Sequence, residues 1–430
     1  MRNLRESARR VGALVGALLL VCGQLIWAPL AAFAVVLETD LIAGVPYPER
    51  GLMAEEMVDI DAPSAILVTR GGQVLWSRDA HVRRSIASIT KVMTAILAIE
   101  NGTLTDEVPI TYEAATVGGS TANLVAGEAY PLRTLLDMML LVSGNDAAVA
   151  IGEYLGGSGS DYLLGTSPEA GANTDPFITL MNTKAAELGM KDSHFNNPQG
   201  YDDEFHYSSA ADVATMSAYA MTLPLFREIV ASPGDPESPF QNTNELLRTF
   251  EGANGVKTGF TDNAGSCVAA SALRDDIELY AVVLGSQSEE SRFVEAAQLL
   301  SFGFDHYATR TLLEADMQLG STEVKNYLDV TVPVGITDEV TATYFDLLGP
   351  VEQEITIEPV RAPVEVGTVV GFVTFTQNGE QIARAPIVSF EAVAKPGFFE
   401  AVSIALTRLW RTITGGGGSA ALVTFRIQAA

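Results

Sequence analysis

A chain of 430 residues is long enough for two or three domains and a large buried core. Its net charge of −27 is spread along the chain without a long acidic run, which argues against nucleic acid as a partner and reads as a solvated acidic surface. Of its two cysteines, Cys22 falls in a leader, so a mature chain has the single thiol Cys267 and no internal disulfide.

Positions 1–34 read as an export signal. Arg2, Arg5, Arg9 and Arg10 form a basic start. An apolar stretch follows from Val11 to about Pro29, and Ala32-Phe33-Ala34 has the small-x-small cleavage pattern. Cleavage is expected after Ala34. An uncleaved anchor is the alternative, because the stretch approaches the length of a bilayer span.

A candidate catalytic domain spans 45–310. It opens with two β-type runs, 64–70 and 73–77, joined at Gly71-Gly72, a hairpin signal. The apolar spacing of Ile89, Val92, Met93, Ile96, Leu97 and Ile99 predicts a helix over 88–100, stopped at Asn101-Gly102. Ser88-Ile89-Thr90-Lys91 then puts a serine at the helix start with a lysine three residues on, on the same face. Lysine is scarce: there are only Lys91, Lys184, Lys191, Lys257, Lys325 and Lys395. A serine hydroxyl needs an adjacent base, and a lysine serves only when burial or a second cation keeps it neutral. The Ser88 backbone N–H at the helix start supplies one donor for an oxyanion.

Two further helices are predicted over 132–141 and 146–155, with Ser143-Gly144-Asn145 in the turn between them. Lys257-Thr258-Gly259 opens a strand, and β-rich runs at 264–272 and 277–285 join the first hairpin in one antiparallel sheet. Gly259 lets a substrate backbone lie close to that strand. Each of these three signals is weak alone, since Ser and Asn also cap helices and Lys-Thr-Gly also starts surface strands. Their order is specific: an activated hydroxyl, a proton relay, then a cationic anchor for a carboxylate.

Val324 onward, to about 394, is rich in Val, Thr, Ile and Pro in short alternating runs, which reads as a small β-domain over 320–394. A segment over 397–413 follows. It has Phe398, Phe399, Val402, Leu406, Leu409, Trp410 and Ile413 at helical spacing, with Glu400, Arg408 and Arg411 as polar partners. It is too short and charged to span a bilayer but suits a helix lying in the interface. A helix packed on the β-domain is the alternative. The last stretch, 414–430, begins with Gly415 to Gly418 and is expected to be a flexible tail.

The four histidines, His81, His194, His206 and His306, sit in no triad context, and no Gly-x-Ser-x-Gly elbow is present. There is no zinc-type Cys/His cluster and no phosphate loop, so neither metal nor cofactor is expected.

The chain resembles the low-molecular-weight penicillin-binding proteins, the serine-type D-Ala-D-Ala carboxypeptidases of the cell wall. Three stretches carry the resemblance: Ala87 to Thr94, Leu141 to Ala147, and Gly255 to Asp262. Leu180-Met181-Asn182, Phe195 to Gly200, His206 to Ala210 and Asn242-Thr243-Asn244 resemble its spacer motifs. It implies an α/β (α+β) fold: a DD-peptidase/β-lactamase-like catalytic domain with an antiparallel sheet flanked by helices, then a small β-rich domain and an amphipathic helix. By resemblance, Ser88 is the nucleophile, Lys91 the acylation base and Ser143 the proton relay. Asn145 binds the substrate backbone, and Lys257, Thr258 and Gly259 form the carboxylate side of the groove. The second oxyanion donor is the N–H of Phe260. His206 and the spacer asparagines are expected to be structural.

The implied substrates are peptidoglycan stem peptides, with β-lactams as covalent inhibitors, and the implied location is the outer face of the cytoplasmic membrane, reached through 398–413. Gln199, Tyr201 and Phe260 depart from common family residues (His, Leu and His), and the stretch 156–175 looks like an enlarged loop. The alternatives are a D,D-endopeptidase, a β-lactamase-like hydrolase or a catalytically silent wall-binding protein. A β-lactamase is disfavoured because no Glu-x-x-Leu-Asn segment supplies its deacylating base. Nothing in the sequence reads on oligomeric state.

Overall fold

The computed structural model describes residues 36–157, 175–234, 240–414 and 423–428, the last as backbone. The expected leader lies outside them, as does most of the enlarged loop.

The first layer is a seven-stranded antiparallel sheet. Its strands are β1 (Leu41–Ile42), β2 (Val45–Pro46), β3 (Ser64–Thr69), β4 (Val74–Arg78), and, after a separate small pair β5 (Glu107–Pro109) and β6 (Ala129–Pro131), β7 (Ala253–Thr261), β8 (Gly265–Arg274) and β9 (Ile277–Ser286). The order β2-β1-β4-β3-β9-β8-β7 leaves β7 at one edge. The two hairpins β3-β4 and β8-β9 match the predicted runs, and β3 pairs β9 to join them.

Side-chain alternation along these strands divides the core in two. Ile66, Val68, Cys267, Ala269, Tyr280, Val282 and Leu284 face the larger helical layer, built on Lys91–Asn101, Leu132–Leu141, Asn145–Gly156 and Ala210–Ala220. Ala65, Leu67, Val268, Ala270, Leu279, Ala281 and Val283 face the helix Glu289–His306, through its Phe293, Ala296, Leu299 and Leu300. Both faces are therefore buried, and the sheet becomes a rigid central plate. Arg78 locks the N-terminal segment onto it through a buried bidentate ion pair with Asp40, at 2.7 and 2.6 Å.

The predicted helix over 88–100 is real but begins differently. Ala87–Thr90 is a 3-10 turn and the α-helix proper is Lys91–Asn101. The cause is local: Ala87 has φ 48, and the Thr90 hydroxyl donates back to Ala87 O at 2.8 Å, closing a tight turn. In such a turn residues i and i+3 eclipse, which stacks Lys91 over Ser88 more directly than an α-turn would. The other helices, Leu132–Leu141 and Asn145–Gly156, agree with expectation, except that Asn145 is already helical.

Past His306 the chain runs into β10 (Tyr307–Leu313), which pairs with β13 (Val340–Phe345). The six-stranded sheet of this second unit has the order β11-β12-β16-β15-β14-β17, with β11 at Gln318–Glu323, β12 at Thr331–Gly335, β14 at Val351–Ile357, β15 at Val369–Gln377 and β16 at Glu380–Ser389. Its own core includes Val332, Val334, Ile355, Val373, Phe375 and Ile387. The expected flexible tail contains a strand, β17 (Val423–Gln428), antiparallel to β14 from Glu352 to Ile357. The segment Val-Thr-Phe-Arg-Ile-Gln has strand period and composition, and the outer edge of β14 offers unpaired backbone groups to receive it.

Between the β-unit and the tail, helix Phe398–Ile413 docks by its polar side. Arg411 pairs with Asp329 at 2.8 Å, and Arg408 donates to the carbonyls of Tyr327 (2.9 Å) and Lys325. Only Ile404 is buried; Phe398, Phe399, Leu406, Leu409, Trp410 and Ile413 stay exposed.

Candidate active site

Ser88 sits in the 3-10 turn against the edge strand β7. The closeness is visible at Gly259, where a Cβ would come within 2.8 Å of Ile86 O and 3.1 Å of Ser88 N. Only a residue without a side chain lets the strand lie there. The opposite wall is as tight: Gly200, at φ 94, would drive a Cβ to 2.0 Å from Ala87 O.

Lys91 is fully buried, with its amine 2.8 Å from Ser88 Oγ, 2.7 Å from Asn145 Oδ1 and 2.7 Å from Gln199 O. Burial, then the nearby Lys257 cation, hold its pKa well below the ordinary lysine value, while Asp146 pulls the other way. A neutral amine has two hydrogens and one lone pair. Asn145 Oδ1 and Gln199 O can only accept, so they take the hydrogens. The lone pair is left for the Ser88 hydroxyl, which donates to it.

Asn145 is a junction. Its Nδ2 donates to Gly118 O at 3.0 Å and its backbone N–H to Ser120 O at 2.7 Å. The next residue, Asp146, accepts from Thr121 Oγ1 (2.6 Å) and from the N–H groups of Ala122 and Leu124 (3.0 and 3.1 Å). The 117–124 loop is thereby fixed beside Lys91. Ser143, two residues upstream, is buried and held at φ 64, the left-handed region. Among the described residues no hydrogen bond joins its hydroxyl to Ser88 or to Lys91, whose amine is engaged by Ser88, Asn145 and Gln199.

Across the groove, Lys257 and Thr258 are buried on β7. Lys257 Nζ donates to Thr258 O at 3.0 Å, and the hydroxyls of Thr258 and Thr243 are 2.7 Å apart. Burial and the Arg292 guanidinium bring the Lys257 amine down to about 7. Phe260 is 54% exposed at the groove rim.

Two residues missed in the sequence support this arrangement. Arg292 is a buried cation that donates to Gly259 O at 3.2 Å, behind the strand that carries the clamp. It falls at helical spacing with the buried Ala296 and Leu299, and a cation on an apolar stripe was the available signal. Gln199 reads in sequence only as a departure, yet its carbonyl accepts from the Lys91 amine; a backbone acceptor leaves no trace in residue type. His206, as expected, is structural. Its Nδ1 accepts from Asn196 N at 3.0 Å, so Nε2 carries the hydrogen and donates to Thr90 Oγ1 at 2.7 Å. Burial depresses it to about 3, so it stays neutral.

The hollows flanking helix Glu289–His306, about 330 and 650 Å3, are on the opposite side of the sheet from Ser88. Among the described residues no group of three or more His, Cys, Asp or Glu could hold a metal ion.

A serine under a buried amine, facing a lysine-threonine strand across a helical and antiparallel-sheet domain, defines a serine acyl-enzyme hydrolase. The family model for D-alanyl-D-alanine carboxypeptidases of the Peptidase_S11 type matches residues 52–288, and that for the C-terminal domain of penicillin-binding protein 5 matches 307–395. The chain belongs to this family of serine D-Ala-D-Ala carboxypeptidases, the low-molecular-weight penicillin-binding proteins. It is 30% identical over 356 residues to D-alanyl-D-alanine carboxypeptidase DacF of Bacillus subtilis, covering 79% of this chain and 87% of that one. It is 29% identical to DacA of Escherichia coli over 371 residues, covering 79% and 85%. Among solved structures, DacD of Francisella tularensis superposes with a TM-score of 0.54 at 26% identity, covering 79% of this chain and 95% of that one. Penicillin-binding protein 5 of Haemophilus influenzae gives 0.54 at 27%, covering 78% and 98%.

Proposed function

We propose that this carboxypeptidase works through an acyl-enzyme on Ser88, with Lys91 as its base. The observation that carries the reading is the buried Lys91 amine within hydrogen-bond distance of Ser88 Oγ, Asn145 Oδ1 and Gln199 O at once. A stem peptide ending in D-Ala-D-Ala lies along β7, its terminal carboxylate on Lys257 and Thr258 and its backbone near Asn145. The carboxylate also restores the charge on Lys257 by pairing with it. Lys91 Nζ takes the Ser88 proton as Oγ attacks the penultimate D-Ala carbonyl. The oxyanion meets the N–H groups of Ser88 and Phe260. Collapse breaks the peptide bond, and the leaving amine receives a proton from Lys91 by way of Ser143, whose hydroxyl joins the chain of hydrogen bonds only once substrate is bound. Water then hydrolyses the ester, with Lys91 taking its proton and passing it to Ser88 Oγ as the acyl C–O bond breaks.

A β-lactam forms the same ester, but its amine stays tethered and the acyl group leaves slowly. The exposed apolar face of helix Phe398–Ile413 rests on the outer leaflet of the cytoplasmic membrane in this reading, with the β-unit between it and the active domain. Support comes from the orientation of that helix, whose two arginines are spent on the β-unit.

Incubating the purified chain with diacetyl-Lys-D-Ala-D-Ala tests the reading. Stoichiometric D-Ala release that disappears in Lys91→Ala and Ser88→Ala supports it; release that survives either substitution overturns the assignment of that residue.

A further inference from the structure

Tyr201 follows the Gln199-Gly200 pair that lines the Ser88 turn, and the reaction scheme above does not use it. Its surroundings are unusual for a rim residue. The half-buried phenol donates to Val117 O at 2.5 Å. A Cβ placed on Gly119 would lie 3.5 Å from the phenol oxygen and 2.6 Å from Asn145 Nδ2, and one on Gly118 would lie 3.6 Å from the same oxygen. The phenol, the double-glycine turn and the Asn145 amide therefore occupy one spot. Gly118 and Gly119, at φ 79 and 68, allow the backbone to turn there.

These contacts join into a closed loop. Lys91 Nζ donates to Gln199 O; the chain runs through Gly200 to Tyr201; the phenol donates to Val117 O; the chain continues to Gly118; Gly118 O accepts from Asn145 Nδ2; and Asn145 Oδ1 accepts from Lys91 Nζ. The Gln199–Tyr201 arm is stiff, because Asn197 Oδ1 accepts from the N–H groups of Gly200 and Tyr201 and Asn197 Nδ2 donates to Tyr201 O. The two acceptors that orient the Lys91 amine come from different segments, Gln199 from the 195–201 loop and Asn145 from the start of helix Asn145–Gly156. The phenol ties the first segment to the 117–124 loop, which Asn145 Nδ2 holds in turn.

We propose that Tyr201 is a positioning residue that closes a hydrogen-bonded ring around Lys91, holding Gln199 O and Asn145 Oδ1 at the separation that aims the amine at Ser88. Without the phenol hydroxyl the ring stays open, so in this chain the acylation step depends on a side chain whose own hydrogen bond goes to Val117 O and not to Ser88. The inference rests on the acyl-enzyme reading given above.

The test uses the full chain and a fluorescent penicillin, with acylation rates normalised to the final labelled fraction. Tyr201→Phe keeps the aromatic side chain and removes the oxygen that closes the hydrogen-bonded ring. Acylation is expected to slow about three- to tenfold, the size of one net hydrogen bond. On the tripeptide, kcat falls by a similar factor while KM moves less than twofold, since the carboxylate clamp is untouched; a merely structural role would lower the labelled fraction and leave both constants alone. Gly119→Ala disturbs the ring from the other wall. The double variant should be about as slow as the slower single one, because both break the same ring. Parent-like acylation in Tyr201→Phe overturns the proposal, as do single effects that multiply in the double variant. If Tyr201→Phe fails to fold, a parent-like rate in Gly119→Ala does so as well. A parent protein that takes no penicillin at all removes the acyl-enzyme reading itself, and this inference with it.

Discussion

Lys91 and Lys257 are buried close enough for the charge of one to depress the other, and the proposed reaction asks opposite things of them. In it the first is neutral to accept a proton and the second charged to bind a carboxylate. Burial lowers both, and Lys257 adds to the depression of Lys91. The pH dependence follows by sign. Acylation is lost as pH falls through the depressed pKa of Lys91, because the lone pair is then protonated. Binding of a free carboxylate weakens as pH rises through about 7, where Lys257 of the free enzyme loses its charge. The expected profile of kcat/KM on the tripeptide is a bell with its alkaline limb near 7, and a substrate with an esterified C-terminus should lack that limb. Arg292 offers a direct check. It is the second cause of the low Lys257 value, so Arg292→Met should move the alkaline limb upward while weakening the hold on Gly259 O. A limb that stays put or moves down contradicts the assignment.

At this scale the sequence was informative about residue type and poor about backbone. Ser88, Lys91, Asn145, Lys257 and Thr258 could all be named; the structure joins Lys91 to Ser88 and Asn145 and sets β7, which carries Lys257 and Thr258, beside the Ser88 turn. The Gln199 carbonyl could not be, nor could the direct contact between Asn145 and Lys91, because both depend on loop paths that no spacing encodes.

Elements meet at this site almost without side chains. The 3-10 turn Ala87–Thr90 is squeezed between Gly259 of β7 and Gly200 of the 195–201 loop. Hydrogen bonds tie that loop down: Thr94 Oγ1 donates to Pro198 O at 2.7 Å, and Asn182 exchanges two bonds with Phe195. Gly200→Ala must therefore strain φ or displace Ala87, at a cost of about 1–3 kcal/mol in stability. Thermal denaturation should show the lower midpoint, and penicillin acylation should slow because the Ser88 turn moves. Gly259→Ala has an ordinary φ, so it should spare stability more while impairing acylation through its 3.1 Å approach to Ser88 N. A Gly259→Ala protein that acylates normally would contradict the packing described here. Hydrophobic period located these helices and strands well, since both faces of the sheet are buried and the apolar runs are long. It missed the 3-10 start, which is dictated by the Thr90 hydroxyl and a positive φ at Ala87.

In the proposed reading the molecule separates chemistry from membrane attachment. The active groove belongs to the first unit, and the exposed aromatic and aliphatic side chains of Phe398–Ile413 lie at the far end of the chain, on the β-unit. A version truncated at Lys395 should lose liposome binding and keep its kcat/KM on the soluble tripeptide. Leu406→Glu with Trp410→Glu should do the same without deleting β17. Retained sedimentation with liposomes in both would place the attachment elsewhere. The amphipathic pattern was legible because seven large apolar residues recur at helical spacing. The β17 pairing was not, since a glycine-rich run precedes it and the partner, β14, lies some seventy residues upstream.

The most direct measurement is the site and stoichiometry of covalent labelling by a penicillin, read by peptide mass spectrometry on the parent and on Ser88→Ala. One acyl group per chain, on the peptide that contains Ser88 and absent from the variant, is the expected result. An acyl group on any other residue, or undiminished labelling of Ser88→Ala, would contradict the nucleophile on which every step here depends.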